Sequence, residues 1–234
     1  MSQSTAAPAR FTVSTTTDRL LAGGVLAGPL FLSSWAVQAS FRTGFDPTVH
    51  PLSLLARGDL GWVQVATFVA TGSLFIASSR GLREALPDGR GSRWVPRLVR
   101  AMGAGFVAAG IFVTDAGAGS PPGAPAGAPQ MSWHGALHEV GFMVTVLSWT
   151  AACIVLARRF KARQQRRWLA ASVAAPLAAF VVATWPDLDT LSVRLVVSTA
   201  IQLAYMSALS AHLRRNLPAA AATRAPQRTP VPAG

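Results

Sequence analysis

His134 and His138 stand four residues apart in Trp133-His-Gly-Ala-Leu-His-Glu139. On a helix this spacing puts both imidazoles on one face, about a turn apart. Two such rings can bind one divalent metal ion, such as zinc, or share a proton network. Asp115 ends the preceding apolar block, and Glu139 directly follows His138. Asp46 and His50 form a second pair at a spacing of four, with Ser53 just beyond. The residue types suit a metal site built from His134, His138 and Asp115. They equally suit an acid–base site drawing on Asp46, His50, Asp115, His134, His138 and Glu139. Other features favour plainer roles. The residues between the two histidines are Gly135, Ala136 and Leu137, so the glutamate of the soluble metalloprotease motif is absent. Asp115 would serve equally well to close a helix. A carboxylate at Glu139, one turn into an apolar block, has to pair, protonate or face a wet cavity. Cys153 is the single cysteine, which excludes an internal disulfide and a thiolate metal cluster.

The segments that must position these groups are apolar. Hydrophobic residues make up 51% of the 234-residue chain and charged residues 13%, too little charge to cover a soluble surface of this size. The apolar residues come in blocks long enough to span a bilayer. Six spans are expected, at about 20–41, 62–79, 98–114, 133–157, 168–185 and 191–213. The expectation is an all-α integral membrane bundle over 20–213, with polar tails at 1–19 and 214–234. Gly24 and Gly28 form a small-xxx-small pair that lets another helix approach closely. Pro176 marks a kink in the fifth span. The prolines and glycines of 42–61 and 116–132 oppose helix there. Gln38, Gln64 and Gln202 are expected to hydrogen-bond between helices. Trp62, Trp133, Trp168 and Trp185 stand near span ends, as interfacial anchors do.

Charge sets the orientation. Eighteen of the 21 Lys and Arg residues fall in the two tails and in the loops after the second and fourth spans. Only Arg42, Arg57 and Arg194 fall on the other side. The positive-inside rule then puts both termini in the cytoplasm and the His/Asp groups at the outer face of the cell membrane. The formal charge of +12 is therefore a topology signal. No basic domain or recognition motif accompanies it, so nucleic acid is not an expected partner. The first block is longer than a signal-peptide core, and removing it at Val37-Gln38-Ala39 would leave five spans, so it is taken as a span.

Two stretches carry a family resemblance. The first is Gly-Phe-Asp46-Pro-Thr-Val-His50-Pro-Leu-Ser53, continued by Gly58-Asp59-Leu-Gly61-Trp62-Val-Gln64. The second is Gly110-Ile-Phe-Val-Thr-Asp115, followed after a Pro/Gly loop by Ser132-Trp133-His134-Gly135-Ala-Leu-His138. Together they resemble the bacterial membrane family called domain of unknown function 998, over roughly residues 19–213. The resemblance implies about six spans and supplies no activity. A more distant similarity is to a superfamily of membrane hydrolases that includes alkaline ceramidases. It rests on Ser53, Asp115, His134 and His138 occurring in the same order. Those proteins have seven spans, and several of their metal-site details are unmatched here. The expected partners are the bilayer and an apolar, lipid-like small molecule. The expected function is an interfacial enzyme at the outer face. The alternative is a non-catalytic component that binds, transports or assembles.

Overall fold

The computed structural model describes residues 15–127 and 129–217. The N-terminal tail up to residue 14 and the C-terminal tail from 218 lie outside the described residues.

Six α-helices form: α1 Thr15–Phe41, α2 Gly61–Ala85, α3 Trp94–Ile111, α4 Trp133–Ala162, α5 Arg166–Thr184 and α6 Leu191–Arg215. All but α3 are long and apolar enough to cross a membrane. The chain is thus a multi-pass membrane protein. α3 is the shortest of the six and carries Arg97 and Arg100 in its first half. α1 begins at Thr15, earlier than its hydropathy suggests. Its polar first turn is held by neighbours: Thr17 donates to the Glu84 carboxylate, and Asp18 pairs with Arg214 at 2.6 Å. α5 runs through Pro176.

Consecutive helices pack side by side, and α1 against α6 closes the ring. Small residues set the closest approaches. A Cβ at Gly24 would lie 2.6 Å from Ser210 Oγ, and one at Gly28 equally close to Ser207 Oγ. The Gly24/Gly28 pair is therefore the α1–α6 seam. Gly72 and Gly103 bring α2 to α3, and Gly105 and Gly141 bring α3 to α4. Phe31, Phe68, Phe75 and Phe106 form the aromatic centre of the bundle, with edge-on contacts at 5.2 Å and 5.6 Å from Phe31. Gln38 donates to Gln64 at 2.7 Å, the interhelical bond expected of them.

The two ends differ in composition. At one, Arg159 is buried and donates to the carbonyls of Asp88 and Arg90, and Arg163 pairs with Asp88. This is the arginine end. At the other, the loop end, the described residues of 42–60 and 112–132 are non-helical apart from a short 3-10 helix at Leu52–Ala56. That turn departs from the expectation of an open loop. Pro51 stops backbone pairing before it, and Arg42 satisfies the Leu55, Arg57 and Leu60 carbonyls around it. α3 stops at Ile111, three residues short of its expected end, and the chain extends from Phe112.

Candidate functional site

The loop end is fastened by side chains bonded to backbone. His50 is 8% exposed. The Asp46 N–H donates to its Nδ1 at 2.8 Å, so the ring proton belongs on Nε2. Nε2–H then donates to the Ala118 carbonyl at 2.9 Å. Ala118 sits in the left-handed region, φ 54°, uncommon for a residue with a Cβ. Both ring nitrogens are committed, and the first loop is tied to the 112–132 loop. The Asp46 carboxylate accepts from the Thr48 hydroxyl and N–H, and those bonds hold it below the usual carboxylate range. Ser192 Oγ donates to the Val49 carbonyl and adds the start of α6 to the fastening.

Asp115 performs a similar task for α4. Its two oxygens accept from Ser132 Oγ–H and Ser132 N–H at 2.6 Å and 2.7 Å. Ser132 is the N-cap of α4 and accepts from Gly135 N–H. The carboxylate thus secures the cap, and an anion there also suits the helix N-terminus. The Ser132 bonds, hydroxyl first, keep its carboxyl below the usual range, with a smaller contribution from Arg57. Gly135 is required: a Cβ would lie 1.9 Å from Asp115 Oδ2. On the far side Arg194 serves α5 in the same way, donating to carbonyls at its C-terminus, Ala183 and Trp185 among them.

His138 differs in one respect. It is 4% exposed, and its Nδ1 lies 2.8 Å and 3.0 Å from the carbonyls of Ala109 and Phe112. Two acceptors require the proton on Nδ1. His138 thereby satisfies orphan carbonyls at the end of α3, where the chain turns out of the helix. Nε2 has no partner among the described residues, and its lone pair is free in the neutral ring. The side chain borders a cavity of about 270 Å³, with Ser53, Phe68, Asp115, Glu139 and Gln202 also in its wall. Gln202 is 5% exposed, and its Nε2 has no hydrogen-bond partner among the described residues. The expected interhelical bond of Gln202 is not made, because the cavity lies beside it.

The six residues singled out by spacing are therefore divided. Asp115, His138 and Glu139 border the cavity. His50 and Asp46 belong to the fastening. His134 is exposed, its ring lying 3.5 Å from that of Trp133. Among the described residues no group of three or more His, Cys, Asp or Glu side chains is placed to hold a metal ion. The expected set of His134, His138 and Asp115 is not gathered. His138 turns to α3, Asp115 turns to Ser132, and His134 stacks on Trp133. Sequence reasoning missed Gln202, Thr145 and Thr199 as cavity residues. A lone amide deep in an apolar helix was the available signal for Gln202.

No curated protein and no solved structure matches this chain. The family model described as protein of unknown function DUF998 matches residues 25–225, most of the sequence and all of the cavity wall. The chain belongs to the DUF998 family.

Proposed function

We propose that this protein binds a lipid-like small molecule in the cavity beneath the loop end, through His138 and Gln202. One observation carries the proposal: Gln202 keeps an unpaired, buried amide nitrogen at the wall of a largely apolar cavity that His138 also borders. Leaving a buried polar group unpaired costs roughly 1–3 kcal/mol. A ligand hydroxyl that donates to His138 Nε2 and accepts from Gln202 Nε2 removes that cost, and the apolar wall takes the remainder of the molecule.

The proposal includes the topology. The chain crosses the cytoplasmic membrane six times, with α3 as the third crossing and both termini inside. The supporting observation is the segregation of arginine. The cavity then opens from the outer half of the bilayer.

The test is a titration of purified protein in micelles with monoolein, followed by thermal unfolding. A ligand at about 100 times its Kd stabilises the folded state by about 2.7 kcal/mol. The wild type should show a saturating rise in Tm, and His138→Phe and Gln202→Leu should each lose it. A wild type indifferent to monoolein and to other neutral amphiphiles contradicts the proposal.

A second reading rests on Ser53, Asp115 and Glu139 sharing the cavity with His138. In it, His138 Nε2 takes a proton from a water that adds to the ester carbonyl of the bound molecule, and returns it to the glycerol oxygen as the ester C–O bond breaks. Release of free fatty acid from monoolein, abolished by His138→Phe, would select it.

A further inference from the structure

A second hollow adjoins the cavity. It is a groove of about 850 Å³ between α4, α5 and α6. Phe142, Leu195, Thr199 and Gln202 belong to both walls, so the two spaces meet there. Taken alone, the cavity falls below the ~300–1,000 Å³ of typical ligand pockets. With the groove it exceeds what a small polar molecule would fill.

The groove is built for a chain. Met143, Leu147 and Ile154 of α4 face Val173, Leu177 and Phe180 of α5 across it, and all six are exposed. Its hydroxyls are largely satisfied internally: Ser198 donates to the Ala179 carbonyl, Thr184 to Phe180, and Ser172 to Trp168. Trp149, 2% exposed, also borders it, with an unpaired Nε1–H. From Phe142 to Arg158, α4 rises about 24 Å at about 1.5 Å per residue. That is most of the roughly 30 Å hydrocarbon thickness. α5 is the least buried of the five long apolar helices, so the groove lies open along its side.

The polar end has its own signature. Asp115 and Glu139 border the cavity, and no Lys or Arg does. A phosphate head there would meet the Asp115 and Glu139 carboxylates, and the arginine that acts on Asp115, Arg57, stands outside the wall. A head that donates a proton to His138 Nε2 and pairs with the Gln202 carboxamide suits the site.

We infer that the ligand is a single-chain amphiphile with a non-anionic, hydrogen-donating head. Its head sits in the cavity, its tail lies in the α4–α5–α6 groove, and it arrives sideways from the bilayer between α4 and α5. The inference rests on the cavity-binding proposal and extends it by naming the ligand class.

The test uses the full chain in micelles at matched mole fractions of monocaprylin, monoolein and oleoyl lysophosphatidate. Monoolein should bind about tenfold tighter than monocaprylin, and about tenfold tighter than the lysophosphatidate. Thr150→Trp fills the groove from α4, and Leu177→Trp fills it from the exposed side of α5, where folding tolerates the change. Both should erase the advantage of the longer chain and leave monocaprylin binding intact. Equal binding of the two chain lengths, or groove variants that weaken both alike, would overturn the tail assignment while leaving the cavity proposal standing. Equal or tighter binding of the lysophosphatidate would overturn the head assignment. Failure of every amphiphile to bind would remove the cavity proposal and this inference together.

Discussion

The loop end and the cavity beneath it use the same residue types in opposite ways. At the loop end, His50, Asp115 and Arg194 have their polar atoms paired, mostly with backbone. In the cavity, His138 keeps one nitrogen free and Gln202 has an unpaired amide. The first arrangement is that of a fastening, since every bond already has both partners. The second leaves hydrogen-bonding capacity for the ligand we propose. Residue type alone therefore does not identify a site in this bundle. An unpaired buried atom points to binding only where a cavity lies beside it, as at Gln202; Trp35, Thr71 and Ser207 also keep polar atoms unpaired among the described residues and border neither the cavity nor the groove.

Removing Asp115 or His50 should have the opposite consequence to removing the Gln202 amide. The largest loss is expected for Asp115→Leu. It removes two charge-assisted bonds to Ser132 and leaves the α4 cap unsupported, at about 3 kcal/mol. Thermal unfolding in micelles should show a markedly lower Tm. His50→Phe comes next, at about 2 kcal/mol, because the Asp46 N–H and the Ala118 carbonyl lose their partner. Faster proteolysis within 42–60 and 112–132 would report that loss.

Acidity gives a smaller, graded effect. The folded pKa values of Asp46 and Asp115 are depressed, so their stabilisation is fully present above the ordinary carboxylate pKa. It is lost as pH falls through the folded values. Tm should thus decline on acidification, and Asp115→Asn should flatten the decline. The smallest change is expected for Gln202→Leu. Replacing an unpaired buried amide with an apolar side chain of similar size should leave the ligand-free Tm unchanged or slightly raised. A large fall would place Gln202 with the fastening and erase the contrast.

Much of this architecture was legible in the sequence. Hydropathy located the helices because each must satisfy its backbone within itself and bury its side chains in lipid or against neighbours. Gly24 and Gly28 announced a close seam, and Gln38 and Gln64 announced interhelical bonds, which they make to each other. Pairings across the loops were not legible. The spacing of His134 and His138 predicts a shared face, yet it cannot reveal that α3 ends at Ile111 and presents its carbonyls to His138. The 3-10 turn at Leu52–Ala56 depends on Arg42, ten or more residues away, and no local pattern encodes it. Gln202 looked like one more interhelical amide, because an absent partner leaves no trace in sequence.

The central claim is that free polar atoms at His138 and Gln202 mark an occupied cavity. Native mass spectrometry of the protein released from mild detergent tests it most directly. Wild-type protein should carry a bound amphiphile, and the doubly substituted His138→Phe/Gln202→Leu protein should appear folded and bare. A wild type and a double variant that are equally bare, or that carry the same adduct in the same amount, would contradict it.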